Sequence, residues 1–234
     1  MQHFQNQQNQ QNQQNQYAQL GAHEVMEVHE VLTKSINGIN TVQLIANQIK
    51  DPQLRTVVNN QFQFMVQEYN SLVQALNQRT GQTGAQAMNQ QRNYQQGMNQ
   101  NISMYHSHTN YTPAYGLNNP ATNSPISSAT ELQDQDIASI ILGIHKASAA
   151  AKAIASLECA DPQLRRMILQ GVVNCNEQAY EVWQYMNQKG FYQVPTLKQT
   201  TTDTFINTFS TANNTHLGQI DMTMTNHHPA GQYQ

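Results

Sequence analysis

Charge is scarce in this chain. Of 234 residues only 11% are charged, and the formal net charge is -3. The eleven Lys and Arg are scattered. No basic stripe is available to neutralise phosphates, which argues against a nucleic-acid partner. No polybasic run is available to dock on an anionic membrane. Cysteine is also scarce. Cys159 and Cys175 are the only two, too few for a disulfide scaffold. Uninterrupted apolar runs are missing as well. The most apolar stretch, Ile137 to Leu157, is broken by His145, Lys146 and Lys152, so a buried helix is expected rather than a membrane span. The opening MQHFQNQQNQ has neither the basic start nor the apolar core of a secretory signal. Cytoplasmic synthesis without membrane insertion is the expectation.

Uncharged polar residues fill the gap. Roughly one residue in six is Gln, several times the globular norm, so a folded part with compositionally biased arms is expected. Against this background the charged phrase DPQLR occurs twice, at Asp51–Arg55 and at Asp161–Arg165, 110 residues apart. Asp before Pro is a helix-start signal. The Asp side chain accepts from the free N–H groups of the first turn. Pro supplies a helical φ where no N–H is needed, and it disfavours helical geometry in the residue before it. Asp51 and Asp161 therefore read as N-caps, with Pro52 and Pro162 at the first helical position.

A helical stripe follows each phrase. Leu54, Val58, Phe62, Met65, Tyr69, Leu72 and Leu76 step by three and four, which marks one face of an α-helix. The same offset of 110 gives Leu164, Ile168, Val172, Cys175, Ala179, Val182 and Met186. Matched start, stripe and stop make an internal repeat, and these fourteen residues are the expected bundle core. A stripe also precedes each phrase: Val25, Val28, Leu32, Ile36, Ile39, Val42, Ala46 and Ile49 in the first half, and Ile137, Ile141, Ile144, Ala147, Ala151, Ile154 and Leu157 in the second. These leading stripes align better at an offset of 109. Asn37-Gly38 within the first reads as a weak point.

Each half is thus a helical hairpin of two helices, each about 38 Å long at 1.5 Å per residue. One hairpin cannot bury its apolar face alone, and two can, as a four-helix bundle. The expected organisation is a disordered Gln/Asn-rich arm over 1–21, a first hairpin over 22–79 and a low-complexity crossover linker over 80–130. A second hairpin over 131–195 and a Thr/Asn-rich tail over 196–234 complete it. The linker is long enough for the crossover of a ferritin-like bundle. Arm, linker and tail carry too few apolar side chains to offset the entropy of ordering.

A four-helix bundle raises the question of a di-metal centre, which needs Glu-x-x-His on two helices. None of the eight Glu is followed by His at that spacing. The segment HEVMEVHE, His23 to Glu30, concentrates carboxylates and histidines, and acidic residues suit a first helical turn. His106, His108, His227 and His228 fall in segments expected to be flexible. Cys159 and Cys175 lie too far apart along a hairpin for a bridge, which needs Cα atoms within about 7 Å; an intermolecular bridge is open if Cys159 is exposed. No Gly-rich phosphate loop and no nucleophile–base constellation stands out. No catalytic residue, metal or cofactor is assigned.

The second half, with its aspartate-rich opening LQDQD, its mid-hairpin DPQLR and its close MNQKGFY, resembles the Coat F family of bacterial spore coat proteins. That family typically closes on Asn-x-Lys/Arg-Gly and an aromatic pair. The first half is similar to a diverged second copy that ends in RTG. The resemblance implies a ferritin-like, all-α four-helix bundle. It also implies a non-catalytic structural component of the endospore coat, made in the mother cell, with other coat proteins as partners. The arms lie outside the resemblance; their low charge leaves little repulsion between copies, so self-association is expected of them. The Gln and Tyr of the arms, with Lys189 and Lys198, are the groups that transglutaminase-type and dityrosine cross-linking use. The alternatives are a ferritin-like metal-binding or redox protein and a cytoplasmic adaptor bundle.

Overall fold

The computed structural model describes residues 20–79, 103–108, 111–120, 122, 124–125 and 131–211. The N-terminal arm, much of the linker and the end of the tail, with His227 and His228, lie outside them. Four long helices form the first unit, which ends at Val194: α1 Ala22–Ile45, α2 Pro52–Arg79, α3 Asp134–Glu158 and α4 Pro162–Gln188. A 3-10 turn, Ala46–Gln48, extends α1. A short helix, α5 Gln199–Ile206, lies in the second unit, in the tail that composition marks as unstructured. Its Phe205 and Ile206 are exposed. Among the described residues there is no β-strand, and the fold is an all-α bundle.

Each long helix has a carboxylate bound to backbone N–H groups at its start. Asp51 Oδ1 accepts from the Gln53 and Leu54 N–H groups at 2.7 and 3.4 Å. Asp161 Oδ1 accepts from Gln163 and Leu164 at 2.9 and 2.7 Å. In α1, Glu24 accepts from Gly21 N–H at 3.1 Å, and in α3, Asp136 accepts from Gln133 N–H at 3.1 Å. The close of α4 is equally explicit. Gly190 adopts φ +75, the left-handed conformation that glycine takes without a Cβ clash. Phe191 N–H then donates to the Met186 carbonyl and Gly190 N–H to that of Asn187, which is the Schellman pattern. Phe191 folds back against the Tyr185 ring. The Lys-Gly-aromatic ending is therefore a helix stop that seals one end of the core.

Each helix packs beside two others: α1 on α2 and α3, and α4 on α2 and α3. Two contacts fix the directions. Asp134, at the start of α3, binds Lys50 and Asp51 at the end of the first leading helix. Gln53, at the start of α2, meets Gln188 at the end of α4. So α1 and α3 are antiparallel, as are α2 and α4, and the connection from α2 to α3 must cross the length of the bundle. The core divides into two clusters. One gathers Val42, Ile49, Leu54, Val58, Ile137, Ile141, Val182 and Met186, with Phe62, Met65 and Ala179 partly buried beside it. The other gathers Val28, Val31, Leu72, Ala155, Cys159, Leu164 and Ile168, with Leu76 beside it. Cys175 is buried, while Tyr69 and Val172 are intermediate. Each fully buried Leu or Ile contributes about 1.5–3 kcal/mol by removal from water.

The leading helices depart from their expected stripes. Val25, Ile36, Ile154 and Leu157 are exposed. The face turned inward in α1 runs Glu24, Val28, Val31, Ser35, Gly38, Val42, Ile45 and Ile49, with all but Ser35 buried. Its steps alternate four and three, the spacing of one helix face. In α3 the same face runs Asp134, Ala138, Ile141, His145, Ser148, Lys152, Ala155 and Cys159, six of them buried. The two faces correspond at an offset of 110, not 109. Apolar residues alone misplace the register because several inward positions hold Glu, Gly, His or Lys. The Asn37-Gly38 weak point is a continuous helix. Gly38 lies under Ile144, whose Cγ2 stands 3.0 Å from where a Cβ would be, so the glycine serves close helix packing.

Among the described helices, α3 is long and apolar enough by length and composition to cross a membrane. Here it packs between α1 and α4 with His145 and Lys152 buried on its inner face.

Candidate functional site

The interior of the bundle holds a polar network that the apolar stripes do not announce. It is built from α2, α3 and α4. Gln61 is buried and forms its centre. Its amide nitrogen donates to the Gln178 carbonyl at 3.1 Å and to Glu181 Oε2 at 2.8 Å. Its amide oxygen lies 2.9 Å from His145 Nε2. With both amide hydrogens committed elsewhere, the Gln61 oxygen must accept, so His145 carries its proton on Nε2. Burial, reinforced by the Lys152 charge, pushes the His145 pKa down to about 3. His145 is a neutral, hydrogen-bonded core imidazole.

A second group adjoins the first. Lys152 is buried and its ammonium binds Glu68, with Cys175 Sγ at 3.4 Å. Burial alone lowers the Lys152 pKa, but Glu68 and Cys175 outweigh it and the net shift is upward. Burial also pushes the Cys175 thiol up, against the opposing pull of Lys152. The Lys152 stem fits only because residue 171 is glycine: a Cβ there would stand 2.9 Å from Lys152 Cδ. A cavity of about 40 Å³ lies beside this group, bounded among others by Glu68, Ser103, Lys152, Gly171 and Asn174. That is room for one or two waters.

The network also holds the crossover. Tyr105, in the segment expected to be an unstructured linker, is only 5% exposed. Its hydroxyl donates to Glu181, its ring meets Phe64 edge-on, and its N–H donates to Asn174 Oδ1 at 3.0 Å. Asn174 donates in turn to the Ser103 carbonyl at 2.9 Å. Glu181 Oε1 accepts from His108 N–H at 3.0 Å. Further along, Asn187 accepts from Ala114 N–H at 2.8 Å and donates to the Ala114 carbonyl at 3.1 Å. Gln193 pairs in the same two-point way with Asn118. Successive side chains of α4 and the turn after it thus satisfy an extended backbone, as a neighbouring strand would. This is how a segment with few apolar residues is ordered: its peptide groups are paired by amides, and one tyrosine anchors it.

A ferritin-type metal centre does not fit these residues. One oxygen of Glu68 is held by the Lys152 ammonium and the other by Asn174. Glu181 accepts from Gln61, Tyr105 and His108. Among the described residues no group of three or more His, Cys, Asp or Glu is placed to hold a metal. In HEVMEVHE, Glu24 is buried and turned to a structural contact, while His23, His29 and Glu30 are exposed. His106 and His108 are exposed. Both cysteines are free and buried. Lys189 and Lys198 are both exposed, and Lys189 is held by Asp51 at 2.7 Å.

The helix caps Asp51, Pro52, Asp161 and Pro162 frame the ends of this interior. The polar layer itself was missed by sequence reasoning, although its signal was present. Gly171, Asn174, Gln178, Glu181 and Tyr185 step by three, four, three and four along α4, a second inward stripe beside the apolar one.

Residues 133–195 match the family model of the Coat F domain, which covers α3, α4 and the closing turn. The chain is also similar to the spore coat protein F-like protein YhcQ of Bacillus subtilis (strain 168). The two are 26% identical over 182 residues, spanning 78% of this chain and 76% of that protein. No solved structure gives a significant match. The second hairpin is therefore the part of the chain that matches the Coat F domain, and the comparisons support a spore coat role.

Proposed function

We propose that this chain is a non-catalytic structural component of the bacterial endospore coat, with the bundle as its folded module and the Gln/Asn-rich segments as its assembly arms. The match of the second hairpin to the Coat F domain carries the reading. The interior geometry supports it. The buried Glu, Gln, Asn and Tyr side chains are engaged in binding the crossover and one another, which is the work of a scaffold. Low charge in the arms supports self-association, since little repulsion keeps copies apart. Other coat proteins and further copies of the chain are the partners in this reading. Mother-cell synthesis and coat deposition are its localisation. Lys198 is a better acceptor for cross-linking to arm Gln than Lys189, whose ammonium is committed to Asp51.

The test is fractionation of purified mature spores, with and without reductant. The protein is expected in the coat extract. Both cysteines are buried, so its release should not depend on reductant. Soluble protein in growing cells and none in spores would overturn the coat reading in favour of an adaptor. Purification with about two irons per chain, the content of a ferritin-type site, would favour the metal reading instead.

A further inference from the structure

We propose that Lys152 and Cys175 are a modification site, joined by an oxidative covalent cross-link that ties α3 to α4 inside the second hairpin. This goes beyond the coat reading and does not depend on it. The two side chains are already in contact, with Nζ and Sγ 3.4 Å apart. Both are buried. The amine cannot swing away, because its stem is pressed on Gly171 and its ammonium is held by Glu68. The cavity of about 40 Å³ that Lys152 lines, together with Gly171 and Asn174, has room on the lysine side of the pair for a peroxide, a molecule little larger than water.

The chemistry balances with one equivalent of a peroxide as oxidant. The peroxide converts the Cys175 thiol to a sulfenic acid and leaves as one water; sulfur is oxidised and the O–O bond is reduced and broken. Sulfenic acids condense with a nearby thiol or nitrogen, and here Lys152 Nζ is the nitrogen at hand. Glu68 takes one proton from the ammonium. The freed lone pair forms the N–S bond as the S–O bond breaks. The departing hydroxide takes a second nitrogen proton and becomes the second water. One hydrogen remains on nitrogen and one on Glu68. Because the resting thiol is held protonated by burial, the reaction is slow, as thiolate is the reactive form.

The experiment treats the full chain with hydrogen peroxide and maps its peptides by mass spectrometry. The expected product is a single species containing the Lys152 and Cys175 peptides, lighter than their sum by two hydrogens. Tryptic cleavage after Lys152 should be lost, and dithiothreitol should restore it. The same pair carrying one retained oxygen, formed with a second peroxide equivalent, would be the same site bridged N–O–S and would support the proposal. Cys175→Ser should abolish the species, and Cys159→Ser should leave it. Wild type unfolded in denaturant before treatment should not form it, which covers the case of a variant that fails to fold. Cys175 recovered from folded, peroxide-treated protein as free thiol or sulfinic acid, with Lys152 still cleaved by trypsin, would overturn the proposal.

Discussion

Glu24 and Asp134 make the same contact 110 residues apart. Glu24 Oε1 accepts from Asp161 N–H at 2.9 Å, and Asp134 Oδ2 accepts from Asp51 N–H at 2.9 Å. Each carboxylate stands at the start of one hairpin and caps the turn of the other. The two DPQLR phrases are therefore cross-bound: each hairpin supplies the acceptor for the N-cap backbone of its partner. The relation explains why a charge-poor chain keeps these acids.

Removing either acceptor should cost stability. Glu24→Ala and Asp134→Ala each strand backbone N–H groups that bind a carboxylate, at about 1.5–3 kcal/mol apiece. The sites lie at opposite ends of the bundle, so the double variant should be additive within about 0.5 kcal/mol. Urea unfolding of the four proteins checks both the size and the additivity.

Three glycines should respond differently to alanine. In Gly171→Ala the new Cβ meets Lys152 Cδ at 2.9 Å, and overpacking of this kind costs about 1–3 kcal/mol. Gly190→Ala forces a left-handed conformation on an L-residue, at about 1–2 kcal/mol. Gly143 is mid-helix with nothing within 4 Å of a new Cβ, so Gly143→Ala should stabilise by up to about 1 kcal/mol. Melting temperatures that rank all three alike would contradict the packing described here.

Acid should act through His145. Its folded pKa lies at about 3 against an ordinary 6.5. Between those values the unfolded chain binds a proton that the native chain refuses, so stability is full above pH 6.5 and falls as pH drops toward 3. The loss is about 1.4 kcal/mol per pH unit. Groups facing the imidazole are Gln61 and the charged Lys152. His145→Gln should flatten the slope across this window, whatever its absolute stability. Denaturant titrations from pH 7 to pH 4 would show equal slopes if the imidazole were not the titrating group.

Tyr105 should control the order of the crossover. Tyr105→Ala removes a buried ring, at about 3–5 kcal/mol by analogy with Phe→Ala, and leaves Glu181 short of a donor. The segment over 103–120 should then become a site of early proteolysis while α1 to α4 persist. Tyr105→Phe keeps the ring, loses the hydroxyl bond and should give an intermediate rate. Unchanged proteolysis in both would show that the amide pairs at Asn187 and Gln193 suffice.

The amino-acid sequence by itself determined the four long helices and their ends, though not the short α5 in the tail. Asp-Pro caps, stripes at steps of three and four, and Lys-Gly-aromatic closure are local chemistry, satisfied within a few residues. The repeat of 110 residues was legible for the same reason, as was the resemblance of the stretch from LQDQD to QVP, residues 132–195, to a coat domain. The tertiary structure decided what local pattern cannot hold. It set which face of α1 and α3 turns inward, because Glu24, Gly38, His145 and Lys152 occupy inward positions that a hydrophobicity stripe skips. It also decided that Tyr105 and the backbone around it are ordered, because their partners, Asn174, Glu181 and Asn187, lie about 70 residues away along the chain. A buried polar group is tolerated only when its partner is in place, and that partner is a property of the packed bundle.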